Sequence, residues 1–279
     1  MTGQELLQYL PVLPWFAAVG GGAVIGSFLN VVIHRLPMLD VDDADGWERP
    51  SLWWPPSHCP RCGAAIRPWH NVPILSYVAL KGRCADCRAA ISLRYPLVEA
   101  AGVLAAVVAL WRLGPTGPAL LAAALLWALV CVTAIDIEHM IIPDSLNGAI
   151  LWTGLGASAL GWWPLPVTES VLGAAVGYIG LRLLAEAAQR LMGREAMGGG
   201  DPKLLAALGA WVGWTSVPSL FFAACAIGTV VALALMALGR HHRHVPIPFG
   251  PFLAIAGGVW ALTAGDWVLP TLPWIFPLR

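Results

Sequence analysis

Apolar runs close to the roughly 20 residues that cross a bilayer as an α-helix recur along this chain, and they constrain its fold more than anything else in it. Seven lie near 11–33, 96–113, 118–135, 146–162, 170–188, 217–238 and 249–268; an eighth, 204–214, is too short to cross unaided and needs neighbouring protein or local bilayer thinning. Hydrophobic residues make up 58% of the 279 positions and charged residues 11%, against roughly 25% charged in a soluble domain. A single soluble domain of this size cannot bury so many apolar segments. The expectation is an all-α polytopic membrane protein with about eight transmembrane helices. No basic residue precedes the first run, and that run is long for a signal-peptide core, so it reads as a retained helix. Gly20, Gly21, Gly22, Gly26 and Ser27 give this helix thin faces for close helix packing.

Between 34 and 94 the composition changes to a polar, Pro-, Trp- and Cys-rich stretch with eight Lys or Arg residues. The chain therefore divides into a first transmembrane helix (1–33), an extramembrane insert (34–94) and a multi-helix membrane domain (95–279). With the insert in the cytoplasm, thirteen of the sixteen basic residues lie on that side, and only Arg112, Arg182 and Arg279 do not. That asymmetry follows the positive-inside rule and sends both termini to the opposite side. Formal net charge is zero and no long basic tract occurs, so nucleic acid is not the partner. The acidic patch Asp40, Asp42, Asp43 and Asp45 reads as a solvated loop, and His241, His242 and His244 among Arg240 and Arg243 as a lipid-facing cytoplasmic loop. Trp53 and Trp54 either anchor the insert at the membrane interface or pack its small core.

Four of the six cysteines form two Cys-x-x-Cys pairs, Cys59/Cys62 and Cys84/Cys87. Each pair can grip one side of a tetrahedral ion, as in a zinc ribbon. Four thiolates close the shell, so the metal would be structural and would replace the large core that a domain of this size lacks; paired disulfides, which a cytoplasmic location disfavours, and a redox or iron role are the alternatives. His58 and His70 are not needed as ligands, and Cys131 and Cys225 sit within apolar runs as packing residues.

Two aspartates lie at equal depth, at the cytoplasmic ends of the third and sixth runs. Asp136 is followed closely by Glu138, His139 and Asp144, and Asp201 ends the stretch Gly198-Gly199-Gly200-Asp201 before Pro202 and Lys203. Acids beside hydrocarbon are costly unless hydrated, paired or used. Three readings fit the residues alone: helix caps or turn stabilisers, a carboxylate pair that shares one proton and hydrolyses a peptide, or an ion or solute pathway. Asp144, after Pro143 and before a new run, reads as a cap or a brace for the site, and Lys203 as a charge that modulates the acids. No His-Glu-x-x-His pattern supports zinc proteolysis.

Taken together, several stretches closely resemble the bacterial type IV prepilin leader peptidase/N-methyltransferase family, whose peptidases are membrane aspartic proteases of the Gly-x-Gly-Asp type. They are residues 26–37 (GSFLNVVIHRLP), the two cysteine pairs, residues 91–99 (ISLRYPLVE), Asp136 with Ile142-Pro143-Asp144, residues 198–203, and residues 247–254 (IPFGPFLA). They cover almost the whole chain in order. The resemblance implies that Asp136 and Asp201 are the catalytic aspartates, with Asp144, Gly198, Gly200 and Lys203 supporting them, and that Cys59, Cys62, Cys84 and Cys87 hold zinc. It further implies a multi-pass protein of the bacterial inner membrane with insert and active-site opening on the cytoplasmic side. The implied reaction removes the short basic leader of type IV prepilins or type II secretion pseudopilins after a glycine. N-methylation of the new N-terminus from S-adenosyl-L-methionine follows. No Gly-x-Gly-x-x-Gly fingerprint occurs in the insert and no donor-binding residues are assigned. The alternatives are a peptidase without methyl transfer and a transporter or proton pathway built on the same acids.

Overall fold

A computed structural model describes residues 12–39, 51–193, 197–239 and 246–263. The acidic loop at 40–48, Arg49, Arg194, the His/Arg cluster at 240–244 and Arg279 lie outside the described residues. Among the described residues regular structure is helical, with two isolated antiparallel bridges, His58 to Ala65 and Arg83 to Ala90. This is an α-helical multi-pass membrane protein. The helices are α1 (Leu13–Leu39), α2 (Leu75–Ala79), α3 (Arg94–Leu113), α4 (Gly117–His139), α5 (Asp144–Ala159), α6 (Val167–Met192), α7 (Gly200–Val212), α8 (Val217–Ala237) and α9 (Gly250–Thr263). Over their described residues all eight expected runs are therefore helical, the last as far as Thr263. Five of them, α1, α3, α4, α6 and α8, are long and apolar enough to cross a membrane.

The chain forms two compact units, Met1–Cys131 and Val132–Arg279, divided within α4. In the first, α1 and α3 pack through glycine. A Cβ on Gly22 would lie 2.8 Å from the Val103 Cα, one on Gly26 2.8 Å from the Glu99 Cα, and one on Gly102 2.7 Å from the Gly22 carbonyl oxygen. Gly20 and Gly21 meet nothing, so only the second half of the thin face is used. The Trp127 indole donates to the Gly102 carbonyl at 2.9 Å and ties α4 to the same contact.

Helix α1 runs six residues past its expected end at 33, with Pro37 inside it. Arg35, which the sequence places just inside the polar insert, is instead buried, and its guanidinium donates to the Ser51 and Pro55 carbonyls at 2.7 and 2.6 Å. Those bonds replace the water that would otherwise end the helix. Similarly, the Glu99 carboxylate on α3 is buried and accepts the Ile74 N–H at 2.7 Å, fastening the loop before α2 to the helix pair.

In the second unit the short helix α7 is the core. Asp201, Pro202 and every residue from Leu204 to Val212 are buried, because α5, α6, α8 and α9 all pack on it. A helix enclosed by protein has no hydrocarbon thickness to match, which is why thirteen residues suffice. Gly173 of α6 and Gly209 of α7 face each other so closely that a Cβ on either would fall on the other's carbonyl oxygen. Ser170 donates to the Ala210 carbonyl at 2.6 Å, Trp163 to the Trp211 carbonyl at 2.9 Å, and Trp211 to the Ile150 carbonyl at 2.8 Å. These bonds use polar groups as glue between helices that lipid cannot push together. Gly209→Leu is expected to destabilise the protein by at least the upper end of the ~1–3 kcal/mol usual for overpacking, since backbone rather than side chain must yield. Thermal unfolding in detergent reads the loss directly.

Candidate active site and cysteine cluster

Both aspartates belong to the second unit, and the fold brings them together. Asp136 sits near the end of α4, 5% exposed, and Asp201 is the second residue of α7, 7% exposed. They are close enough for the charge of one to act directly on the other. After Asp136, α4 stops at Met140, whose φ of 56° turns the chain away and whose N–H donates to the Asp136 carbonyl at 3.0 Å. Asp201 gains from its place in the first turn of α7, where the helix dipole favours a negative charge.

The glycines have separate tasks. A Cβ on Gly200 would lie 2.9 Å from the Ile142 Cβ, so its absence lets the segment after α4 close over the start of α7. Gly198 faces the Asp201 carboxylate, 3.5 Å from a Cβ built there, and its carbonyl receives the Asp201 N–H. Asp144 begins α5 and is bound by Lys203, whose ammonium donates to both carboxylate oxygens at 2.7 and 2.6 Å. The lysine thus braces α5 against α7. Because the pair is 42% and 68% exposed, it contributes ~0–1 kcal/mol, and Lys203→Ala is expected to shift the thermal midpoint little. Glu138 and His139 lie 4.0 Å apart at the exposed end of α4.

Gly250 is the functional candidate whose role the sequence reading left unassigned. It opens α9, its N–H donates to the Asp136 carboxylate at 2.9 Å, and a Cβ there would stand 2.6 Å from the same oxygen. Ile142 packs on this glycine as well as on Gly200. The start of a helix thereby presents both an oriented N–H and a dipole to one acid of the pair. The signal was available as Phe249-Gly250-Pro251 ahead of an apolar run, but nothing local says which carboxylate such a turn faces. Gly250→Ala is expected to displace Asp136 and to slow turnover by about 10²-fold, the order of loss for a small misplacement of a reacting group. Steady-state assay of the folded variant tests it.

In the first unit the four cysteines Cys59, Cys62, Cys84 and Cys87 form one cluster, their sulfurs all within 4.8 Å of one another. The Cys59 and Cys87 sulfurs are 3.9 Å apart. That is far beyond a disulfide and close to the ~3.8 Å edge of a tetrahedron with metal–sulfur bonds of ~2.3 Å. The donor set fits a tetrahedral thiophilic ion. The two halves are alike: Cys-x-x-Cys-x-Ala-Ala-Ile occupies both 59–66 and 84–91. In each, the first cysteine's N–H donates to the first alanine's carbonyl, Cys59 to Ala64 at 2.9 Å and Cys84 to Ala89 at 2.8 Å. The residue after the second cysteine has positive φ, Gly63 at 70° and Arg88 at 60°. This internal repeat was legible and went unread. Backbone N–H groups of Arg61 and Cys62 aimed at the Cys59 sulfur hold its thiol down to about 6, while desolvation and the neighbouring Cys87 and Cys59 sulfurs push that of Cys62 up to about 11, as expected where thiols crowd together. His58 is engaged with the Pro56 carbonyl and His70 packs edge-on to Trp69.

Comparison with known proteins agrees with this architecture. Residues 21–113 match the model described as the bacterial peptidase A24 N-terminal domain, and residues 123–233 match that of the type IV leader peptidase family. The prepilin leader peptidase/N-methyltransferase of Aeromonas salmonicida (strain A449) is 44% identical over 91% of this chain and 92% of its own length. The proteins of the same description from Burkholderia pseudomallei (strain 1026b) and Pseudomonas aeruginosa are 44% and 40% identical, over 85% and 91% of this chain and 81% and 93% of theirs. No solved structure matches at a significant level. Identity of this degree, sustained from the paired glycine helices through the cysteine cluster to the buried acids, makes the chain a member of the prepilin leader peptidase/N-methyltransferase family.

Proposed function

We propose that Asp136 and Asp201 are the catalytic pair of an endopeptidase that removes the basic leader of type IV prepilins or pseudopilins. The observation that carries the reading is the burial of two carboxylates at helix ends, Asp201 within reach of the Asp136 charge and Asp136 fixed by the Gly250 N–H. Two carboxylates that serve one site hold one proton between them. The ionised member withdraws a proton from water, the hydroxyl adds to the scissile carbonyl, and the protonated member donates to that carbonyl oxygen. Collapse of the tetrahedral species breaks the C–N bond and returns a proton to the leaving amine. General acid and base steps of this kind supply ~10²–10⁴-fold each.

The positive-inside distribution supports placing the insert and the opening of this site on the cytoplasmic face of the inner membrane, with eight helices crossing or entering the bilayer. A prepilin would then approach laterally, its basic leader in the cytoplasm and its apolar helix in lipid, presenting the glycine junction at the acids. Cys59, Cys62, Cys84 and Cys87 would hold a structural zinc, which supplies the cross-link of the insert and leaves no position for substrate. Methylation of the freed α-amine, with S-adenosylmethionine as donor, rests on the N-methyltransferase activity named for the relatives. Reconstitution with a prepilin, comparing the wild-type protein with Asp136→Asn and Asp201→Asn, tests the peptidase. Labelled methyl transfer to a precleaved pilin N-terminus tests the second activity. Leader removal that survives loss of either acid would overturn the assignment.

A further inference from the structure

The insert carries one feature that neither proteolysis nor metal binding uses. Trp53 and Trp54 are 80% and 71% exposed, so they do not build the small core of the insert. Yet the Trp53 ring stacks on Phe28 with centroids 5.4 Å apart. Phe28 belongs to the spanning helix α1, eleven residues before its end. It lies one turn after Val24, which is 66% exposed on the outer face of that helix. The tryptophans therefore continue a lipid-facing helix surface rather than open a new one.

Lipid rejects irregular chain because its backbone polar groups go unpaired. Here those groups are largely provided for from within. Ser51 Oγ accepts the N–H groups of Trp53 and Trp54 at 3.3 and 2.9 Å and donates to the Trp54 carbonyl at 3.3 Å. The Ser51 and Pro55 carbonyls accept from the buried Arg35 guanidinium. The next carbonyl, that of Pro56, pairs with the His58 ring at 3.2 Å. Pro55 and Pro56 have no N–H to satisfy.

We propose that residues 51–56 form a tongue inserted into the interfacial region of the phospholipid bilayer, with Trp53 and Trp54 among the headgroups and upper acyl chains where indole is most favoured. Arg35 holds the tongue from the protein side, and the chain leaves it directly into Cys59. The tongue thus pins the first cysteine pair to the membrane surface. Trp69, 64% exposed, provides the contrast: its ring lies against Arg67 and His70 of the insert itself.

The test uses the full-length protein in phosphatidylethanolamine/phosphatidylglycerol vesicles, with Trp53 or Trp54 replaced singly by the photoreactive aromatic benzoylphenylalanine, and Val24 and Trp69 replaced likewise as references. After illumination, intact mass should reveal phospholipid adducts at 53 and 54 comparable with those at 24 and several-fold above those at 69. Lipid adducts at 24 without any at 53 or 54 would overturn the proposal. So would adducts at 53 or 54 to an added prepilin, or to a second copy of the chain, in place of lipid. Independently, the conservative double variant Trp53→Phe/Trp54→Phe should lose part of the tryptophan fluorescence that bromine-labelled lipids quench, and quenchable emission equal to that of the wild type would count against insertion.

Discussion

Replacing either Asp136 or Asp201 with asparagine is expected to reduce leader removal by about 10²–10⁴-fold or more while leaving the fold intact. Asparagine preserves size and can still accept the Gly250 N–H, so the helix packing around α7 has no reason to change; what it cannot do is exchange a proton. The double variant should be little worse than either single one, since each removes the same shared device. Cleavage of a purified prepilin in proteoliposomes, followed with size-exclusion profiles for every variant, checks both halves. The wild-type rate should also show a bell-shaped pH dependence whose two limbs belong to the pair as a unit. A rate that rises monotonically through the range would argue that one carboxylate works alone.

The second large effect is expected at the cysteine cluster. Removing metal with a chelator, or making Cys59→Ser or Cys84→Ser, should abolish binding of a single zinc and unfold residues 57–91 around the cysteine cluster, because structural zinc sites contribute ~10–16 kcal/mol of apparent binding free energy. Few other contacts are available to hold that region: outside the helices its described residues are mostly exposed or half-buried, and its own short elements are a three-residue turn and the five residues of α2. Limited proteolysis with mass mapping should then find cuts between 57 and 91 that the metal-loaded protein resists. Cys131→Ser and Cys225→Ser, which leave the cluster untouched, should retain the zinc. Equal zinc content in the Cys59→Ser protein would remove the basis for the assignment.

How much of this was readable beforehand depended on whether the controlling physics was local. The apolar runs announce helices because a backbone in lipid has no other way to pair its polar groups, and each of them is helical over its described residues. The cysteine spacing announces a four-sulfur site for a similar reason, since two Cys-x-x-Cys turns have few other uses inside a polar insert. The aspartates were visible as acids at the edges of apolar segments. Their pairing was one of three readings open to the residues alone and was singled out by resemblance, because Asp136 and Asp201 stand on different helices with two more between them.

The sequence alone determined the helical membrane class and the gathering of four cysteines into one cluster, since those properties follow from composition and short-range spacing. Tertiary structure alone decided the rest. It made α7 the enclosed core of its unit rather than a failed span, because four helices supply the surroundings that lipid would have had to provide. It carried α1 six residues beyond its expected end, because carbonyls far along the chain take the place of water around Arg35. And it brought the N–H of Gly250 to the carboxylate of Asp136 across 114 positions, a contact that depends on how helices cross and that no local pattern encodes.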